Sequence, residues 1–274
     1  MLYPALDGLS RSLQLYDAHY FSNVCMVRRE CMDLKFSTAH SSKLVYFEQI
    51  GSTNQYLIEK ISQNSADWPD MSVVCAGEQT SGSGRHSRVW SSPSGASLSC
   101  SLLVRNPKGA AHWYGILLAM AAVTSVRSQG VEAGLKWPND VLVEGKKLAG
   151  VLGQASSDSL VVGIGINLQP IQIDNSVSLA EIGLTQDFDF QLSKILGEFS
   201  TLRRDFDLGG VAAVLERLRK FSHTLGLEVR VTTDDTVIEG LATDIDNQGR
   251  LVINDGEEII SAGDILHLRR LGEV

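Results

Sequence analysis

The sequence predicts an α+β fold with a small, all-β barrel at its C-terminal end. Three observations carry this. Between residues 44 and 168, strand-like runs flank one long Ala-rich helical pattern. Two further helical patterns follow, over 187–207 and 211–223. From residue 227 onward the chain changes to short alternating strands split by Asn247-Gln248-Gly249 and Asp255-Gly256, a hairpin signature. The chain therefore divides into a segment over 1–43 with no sustained period, a mixed domain over 44–224 and a barrel over 225–274.

In order, the first strand is LVYFEQI from Leu44. Ser52 or Thr53 suits the N-cap of a helix that puts Tyr56, Leu57 and Ile61 on one side. Residues 72–76 read as a buried strand, and 78–95 as a polar loop long enough to be functional. A strand over 96–104 precedes the Ala-rich helix over 109–129. Short strands follow at GLKW, DVLVEG, KLAGVLGQ and LVVGIGINL, and 179–182 looks helical.

Composition narrows the function classes. The 24 basic residues are outnumbered by 32 acidic ones, for a net charge of −8, which argues against a general nucleic-acid binder. Nearly all of that charge sits in residues 226–274, where four arginines face eleven acidic residues. Cys25, Cys31, Cys75 and Cys100 show no metal spacing and read as free thiols of a reducing compartment; no metal site is expected. Asp7, Arg11 and Asp17 interrupt the apolar N-terminal residues, so no signal peptide is expected. The apolar run over 115–123 is too short to span a bilayer, so no membrane partner and a cytoplasmic location are expected.

Three strings carry chemistry. In QTSGSGRHSRVW, Gly82 and Gly84 permit positive φ and close approach of a ligand. Such a turn can form an anion nest, and Arg85 and Arg88 add guanidinium groups suited to carboxylate or phosphate. In KWPND, Pro138 ends a strand, and Asn139 and Asp140 suit the turn after it. In the following GKKLAG, Lys146 reads as a solvated turn residue, and Lys147 points the other way. The third string, GIGIN, lacks a third glycine and a following helix. It reads as a strand approached closely by a ligand or backbone rather than as a dinucleotide fingerprint.

Taken in order over residues 44–270, Ser52-Thr53-Asn54, the Gly-rich loop, KWPND, GKKLAG, GIGIN and the C-terminal LGLEVRV and DNQGRLVI resemble the biotin–protein ligase family. That resemblance implies a mixed β-sheet flanked by helices plus an SH3-like C-terminal barrel. It implies that biotin and ATP with Mg2+ give biotinyl-5′-AMP and pyrophosphate, and that the biotinyl group then passes to a lysine of a carrier such as the biotin carboxyl carrier protein. It assigns Lys147, Arg85 and Arg88 to the carboxylate and phosphate. Ser52, Thr53 and Gln79 fall to the biotin ring head, with Asn54, Gly82 and Gly150 beside it. Trp90, Lys136, Asn139 and Asn167 fall to the nucleotide, and Asp140 to deprotonation of the incoming lysine. A homodimer is compatible with it.

The loop departs from the family's usual GRGRRGR at Ser83, His86 and Ser87, which bears on how tightly the intermediate is held. Residues 1–43 show no helix-turn-helix with a basic recognition helix, so no DNA partner is expected. Two other readings stand beside the ligase. One is a lipoate or octanoate ligase or transferase of the same fold, which lacks KWPND followed by such a barrel. The other is a non-catalytic biotin-binding homologue, supported only by the altered loop.

Overall fold

The computed structural model describes residues 34–270 except 86, 87, 91, 92, 157, 234, 235 and 262. Cys25, Cys31, His86, Ser87 and most of the 1–43 segment lie outside the described residues.

A seven-stranded sheet forms the centre, in the order β1-β2-β3-β7-β6-β5-β4. Its strands are β1 (Lys43–Ile50), β2 (Ser72–Gln79), β3 (Ser97–Arg105), β4 (Gly134–Lys136), β5 (Asp140–Val143), β6 (Lys146–Ser156) and β7 (Ser159–Asn167). Only β1 and β2 run parallel; every other neighbouring pair is antiparallel, which makes the sheet mixed. The β1–β2 crossover carries helix α2 (Thr53–Gln63), as a parallel connection requires.

Each face is covered by what its residues dictate. On one side α2 sets Leu57 and Ile61, four residues apart, against Val74, Leu103 and Val161. On the other lie α3 (His112–Arg127) and α4 (Phe188–Gly209). Helix α3 is apolar nearly all round and is buried along its length. Helix α4 buries Leu192, Ile195, Leu196, Phe199, Leu202 and Phe206 along one stripe. Its N-cap Asp187 accepts from the Phe190 amide at 2.8 Å. The short α1 (Lys35–Thr38), unread in the sequence, owes its place to Asp189. That carboxylate accepts from the amides of Phe36 and Ser37, both at 2.9 Å.

Three helical expectations need correction. Residues 179–182 form a turn, closed by the Leu184 amide on Leu179 O at 2.9 Å; Gly183, with φ +73, ends it before a second turn can form. The 211–223 pattern is a 3₁₀ turn (Val211–Ala213) followed by helix α5 (Leu215–Phe221). The Ala-rich helix starts at His112 rather than 109, because Gly109 takes φ +67.

A separate antiparallel sheet closes the chain, in the order β11-β10-β9-β8-β12. Its strands are β8 (Leu227–Thr232), β9 (Val237–Ile245), β10 (Leu251–Ile253), β11 (Glu258–Ile260) and β12 (Asp264–Arg270). It is bolted to the larger sheet by Trp137, whose amide donates to Thr224 Oγ1 (3.0 Å) and whose buried Nε1 donates to Gly249 O (2.8 Å). Arg219 of α5 adds a two-pronged contact with Asp244, 2.7 Å on each prong.

Candidate active site

A cleft of about 370 Å³ opens where α2 begins, where β6 and β7 lie side by side, and where the Gly-rich loop meets the C-terminal sheet. Its lining includes Ser52, Thr53, Asn54, Gln79, Arg85, Arg88, Trp90, Lys136, Asn139, Asp140, Lys147 and Gly150. Gly82 is not among the residues that line this cleft, and Asn167 lines an adjoining groove of about 840 Å³ that shares Arg88, Trp90, Lys136, Asp140 and Lys147 with the cleft.

The floor is uncharged and polar. Ser52, extended at φ −151, caps α2 and leaves Thr53 and Asn54 on the first turn, pointing inward. Gln79 Oε1 accepts from the Thr53 amide (2.8 Å) and from its hydroxyl (3.0 Å). Ser101 Oγ lies 2.7 Å from Thr53 Oγ1 and 2.5 Å from Asn54 Oδ1. Asn54 Nδ2 donates to Gln154 Oε1 at 2.7 Å, and Gln79 Nε2 to Ser99 Oγ at 3.2 Å. These bonds set which end of each amide faces the cleft. Ser99, Ser101 and Gln154 were not singled out in the sequence. The signal was there for two of them: Ser97, Ser99 and Ser101 alternate through an otherwise apolar strand.

The side wall is made of absent side chains. Gly150 and Gly165 are partners across β6 and β7, and the Trp90 indole lies over both. A Cβ on Gly165 would stand 2.3 Å from that ring, and one on Gly163 would stand 2.3 Å from Asn54 Oδ1. The GIGIN string thus serves close approach, as expected for small residues in a strand. Trp90 Nε1 and Asn167 Oδ1 are buried and have no partner. Asn167 Nδ2 donates to Lys147 O (3.2 Å) and Val177 O (3.1 Å), which turns the oxygen away from both.

The Gly-rich segment differs from the nest expected of it. Neither Gly82 nor Gly84 has positive φ. The loop is a narrow antiparallel excursion, with the Gly84 amide on Arg88 O (2.7 Å) and the Trp90 amide on Gly82 O (2.8 Å). Gly82 is needed for space instead: a Cβ would meet Trp90 O at 2.7 Å and Gln79 Nε2 at 3.0 Å.

Positive charge rims the cleft. Lys147 Nζ is 2.7 Å from Asp140 Oδ1 and lies 5.8 Å from the Trp90 ring centroid. Arg85 donates to Gly263 O at 3.0 Å, and Arg88 pairs with Asp264, so the C-terminal sheet holds both loop arginines. Burial pushes the Arg85 pKa down, opposed by Asp264 and Asp140. Burial likewise lowers the Lys136 ammonium, opposed by Asp140 and reinforced by Lys147. Lys146 is exposed on the opposite side of the strand. Asn139 is turned to the backbone: its Nδ2 donates to Val151 O at 2.7 Å and bridges the start of β5 to β6. Among the described residues, no group of three or more His, Cys, Asp or Glu is placed to hold a metal.

Comparison with known proteins places this geometry. The sequence profile of the Biotin/lipoate A/B protein ligase family matches residues 46–170, and that of the Biotin protein ligase C terminal domain matches 224–268. The biotin–[acetyl-CoA-carboxylase] ligase of Mycobacterium tuberculosis is 35% identical over 81% of this chain and 87% of its own. The bifunctional ligase/repressor BirA of Escherichia coli is 31% identical over 74% of this chain and 67% of its own. Among solved structures, the biotin protein ligase of Aquifex aeolicus in complex with biotin and ATP superposes with a TM-score of 0.72 at 27% identity, covering 83% of this chain and 99% of that one. With both profiles matched in order and a relative of this identity spanned nearly end to end, the chain belongs to the biotin–protein ligase family.

Proposed function

We propose that this protein is a biotin–protein ligase that activates biotin with ATP and transfers the biotinyl group to a lysine of an acetyl-CoA carboxylase carrier domain. One observation carries the reading: a single cleft joins an uncharged, hydrogen-bonding floor at Thr53, Asn54 and Gln79 to a rim of four cations, Arg85, Arg88, Lys136 and Lys147. The floor suits a neutral, amide-like head group, and the rim suits a carboxylate and a triphosphate.

In the first step a biotin carboxylate oxygen bonds to the α-phosphorus, and the bond from that phosphorus to pyrophosphate breaks. Two anions must meet, so charge neutralisation is the main demand on the protein. Lys147, Arg85 and Arg88 supply it. Mg2+ brought in with ATP would supply further neutralisation of phosphate charge; among the described residues no group of three or more His, Cys, Asp or Glu would hold it as a resident ion. Trp90 and Asn167 receive the base; the partnerless Asn167 Oδ1 is an acceptor suited to an exocyclic amine. In the second step the acceptor lysine nitrogen bonds to the acyl carbon, the acyl–O bond breaks and AMP leaves. Asp140, beside Lys147, takes the proton of the attacking amine. Lys136 stabilises phosphate charge, Ser52 and Gly150 shape the biotin end, and Gly82 and Asn139 act through the backbone they support.

We further propose that the chain, with its net charge of −8, acts without binding an operator. The deciding experiment is exchange of labelled pyrophosphate into ATP, run with biotin and with lipoate. Biotin-dependent exchange, followed by a single biotinyl addition to the carrier domain by intact mass, is the expected result. Exchange with lipoate alone assigns the chain to the neighbouring specificity, and none with either identifies a non-catalytic homologue.

A further inference from the structure

Lys147 does not stand in a regular strand. The β5–β6 hairpin turns at Glu144 (φ +50) and Gly145 (φ +77), and its register then slips: Leu142 faces Lys147, but Val141 faces Ala149. Leu148 is the extra residue of a β-bulge. Burial shows the same break, because Leu148 and Ala149 are buried in succession where a regular strand alternates. The slip changes where Lys147 points. Residues three apart leave a regular strand on opposite faces, yet Lys147 Cε and Nζ lie 3.2 Å from where a Cβ on Gly150 would stand. The bulge thus turns the lysine onto the Gly150 face, which lines the cleft. Main-chain groups beside a bulge need partners from elsewhere. Strand β7 does not reach them, since its last pair with β6 is Ile166 with Ala149. The segment over 173–178 does. The Lys147 amide donates to Asn175 O at 2.8 Å, and Lys147 O accepts from the Val177 amide at 3.0 Å. The segment comes alongside through a turn at Asp174-Asn175, in which Asn175 takes a left-handed φ of +61. Ser176 Oγ closes that turn on Ile173 O at 2.6 Å, and the Ser178 amide and hydroxyl fix its far end on Glu181, at 2.9 and 2.6 Å.

We infer that Asn175 is a positioning residue for Lys147: its left-handed turn holds the segment that clamps the bulged lysine backbone, and so aims the ammonium across Gly150 into the cleft. This rests on the ligase reading and deepens it by naming what sets the lysine's geometry. An ammonium on a flexible four-carbon stem meets a carboxylate and a phosphate together only if the backbone it springs from is fixed. Asn167 Nδ2 reaches the same Lys147 carbonyl at 3.2 Å, so two elements converge on this one peptide. The choice of residue at 175 follows from the backbone. Asn enters the left-handed region through its short polar side chain, and Gly enters it freely. Ala is strained there, and a β-branched residue more so. The Asn175 side chain is exposed, so replacing it takes nothing out of the core.

The test is a series, Asn175→Gly, Asn175→Ala and Asn175→Val, made in the full chain and again in Lys147→Ala. Biotin-dependent pyrophosphate exchange gives kcat for each, and thermal unfolding midpoints report folding. In the Lys147 chain kcat is expected to stay near native in Asn175→Gly, to fall in Asn175→Ala and to fall furthest in Asn175→Val, by about tenfold or more. In the Lys147→Ala chain the same changes are expected to alter the residual rate by less than about twofold, because a residue that acts through the lysine has nothing left to position. That loss of effect is what a general weakening of the fold does not produce. Where Asn175→Val does not fold, Asn175→Ala carries the same comparison. Equal fold-losses in the two backgrounds overturn the assignment. So does an Asn175→Gly variant as slow as Asn175→Ala, or a native rate throughout the series. Absence of biotin-dependent exchange in the unaltered chain overturns the ligase reading and this inference with it, and is seen before any variant is made.

Discussion

Lys147 Nζ and Asp140 Oδ1 stand 2.7 Å apart across the β5–β6 hairpin, so the cation suited to the first step and the carboxylate suited to the second are held as one pair. Lys147 is exposed enough, at 39% of its side chain, to turn from Asp140 to an incoming anion. Each partner can then be tested against the step it serves.

On the proposed mechanism, Lys147→Ala removes a charge that neutralises the adenylation transition state. A lost charge-assisted contact there is worth about 2 kcal/mol or more, so kcat/KM for pyrophosphate exchange falls by more than about tenfold. Lys146→Ala, on the exposed side of the same strand, leaves it nearly unchanged. Equal effects at the two positions contradict the assignment.

Asp140→Asn separates the steps. A general base commonly contributes about a hundredfold or more, so transfer to the carrier lysine slows by that order while exchange changes by less than about tenfold. Raising the pH, which deprotonates the amine without help, narrows the gap. A variant that loses exchange and transfer alike assigns Asp140 to holding Lys147 instead.

Gly163→Ala and Gly165→Ala place a methyl group two residues apart on one face of β7. The first meets Asn54 Oδ1 and the second the Trp90 ring, each at 2.3 Å. Neither strand can shift without breaking its ladder, so the opposing side chain moves. The expected outcome is a raised KM for biotin in Gly163→Ala and a raised KM for ATP in Gly165→Ala. Identical kinetic signatures from both contradict the division of the cleft.

His267 gives a pH dependence. Burial, then Lys136 and His223, push its pKa from 6.5 down to about 4. The folded protein therefore binds this proton less readily than the unfolded chain. Its contribution to stability is full above about pH 6.5 and is lost progressively as pH falls toward about 4. Thermal unfolding midpoints measured from pH 7 to pH 4 are expected to fall more steeply in the native chain than in His267→Gln. Parallel curves would assign the acid sensitivity to other groups.

Much of the fold is legible because it rests on local pattern. The caps at Ser52 and Asp187, the period of α4 and the alternation of the C-terminal strands are each set by residues within a few positions of one another. The errors have equally local causes. Residues 179–182 have helical composition, but Gly183 halts the turn, and a four-residue helix such as α1 needs a distant carboxylate, Asp189, to hold its amides.

By itself the sequence determined which chemistry-bearing residues exist: the loop arginines, the KWPND and GKKLAG strings, and the glycines of GIGIN. Only the tertiary structure decided what each of them touches. Gly163 and Gly165 are open to Asn54 and Trp90 because β7 lies at the middle of the sheet, under the first turn of α2 and the Gly-rich loop. Trp137 proved to be a bolt to Gly249, and Asn139 a strand bridge, although both belong to a string that reads as part of the site. Ser99, Ser101 and Gln154 joined the floor only when β3 and β6 were brought to either side of β7. The reason is physical: spacing along a chain sets which side of an element a side chain leaves from, but its partners come from elements tens of residues away, and those are chosen by how the faces pack.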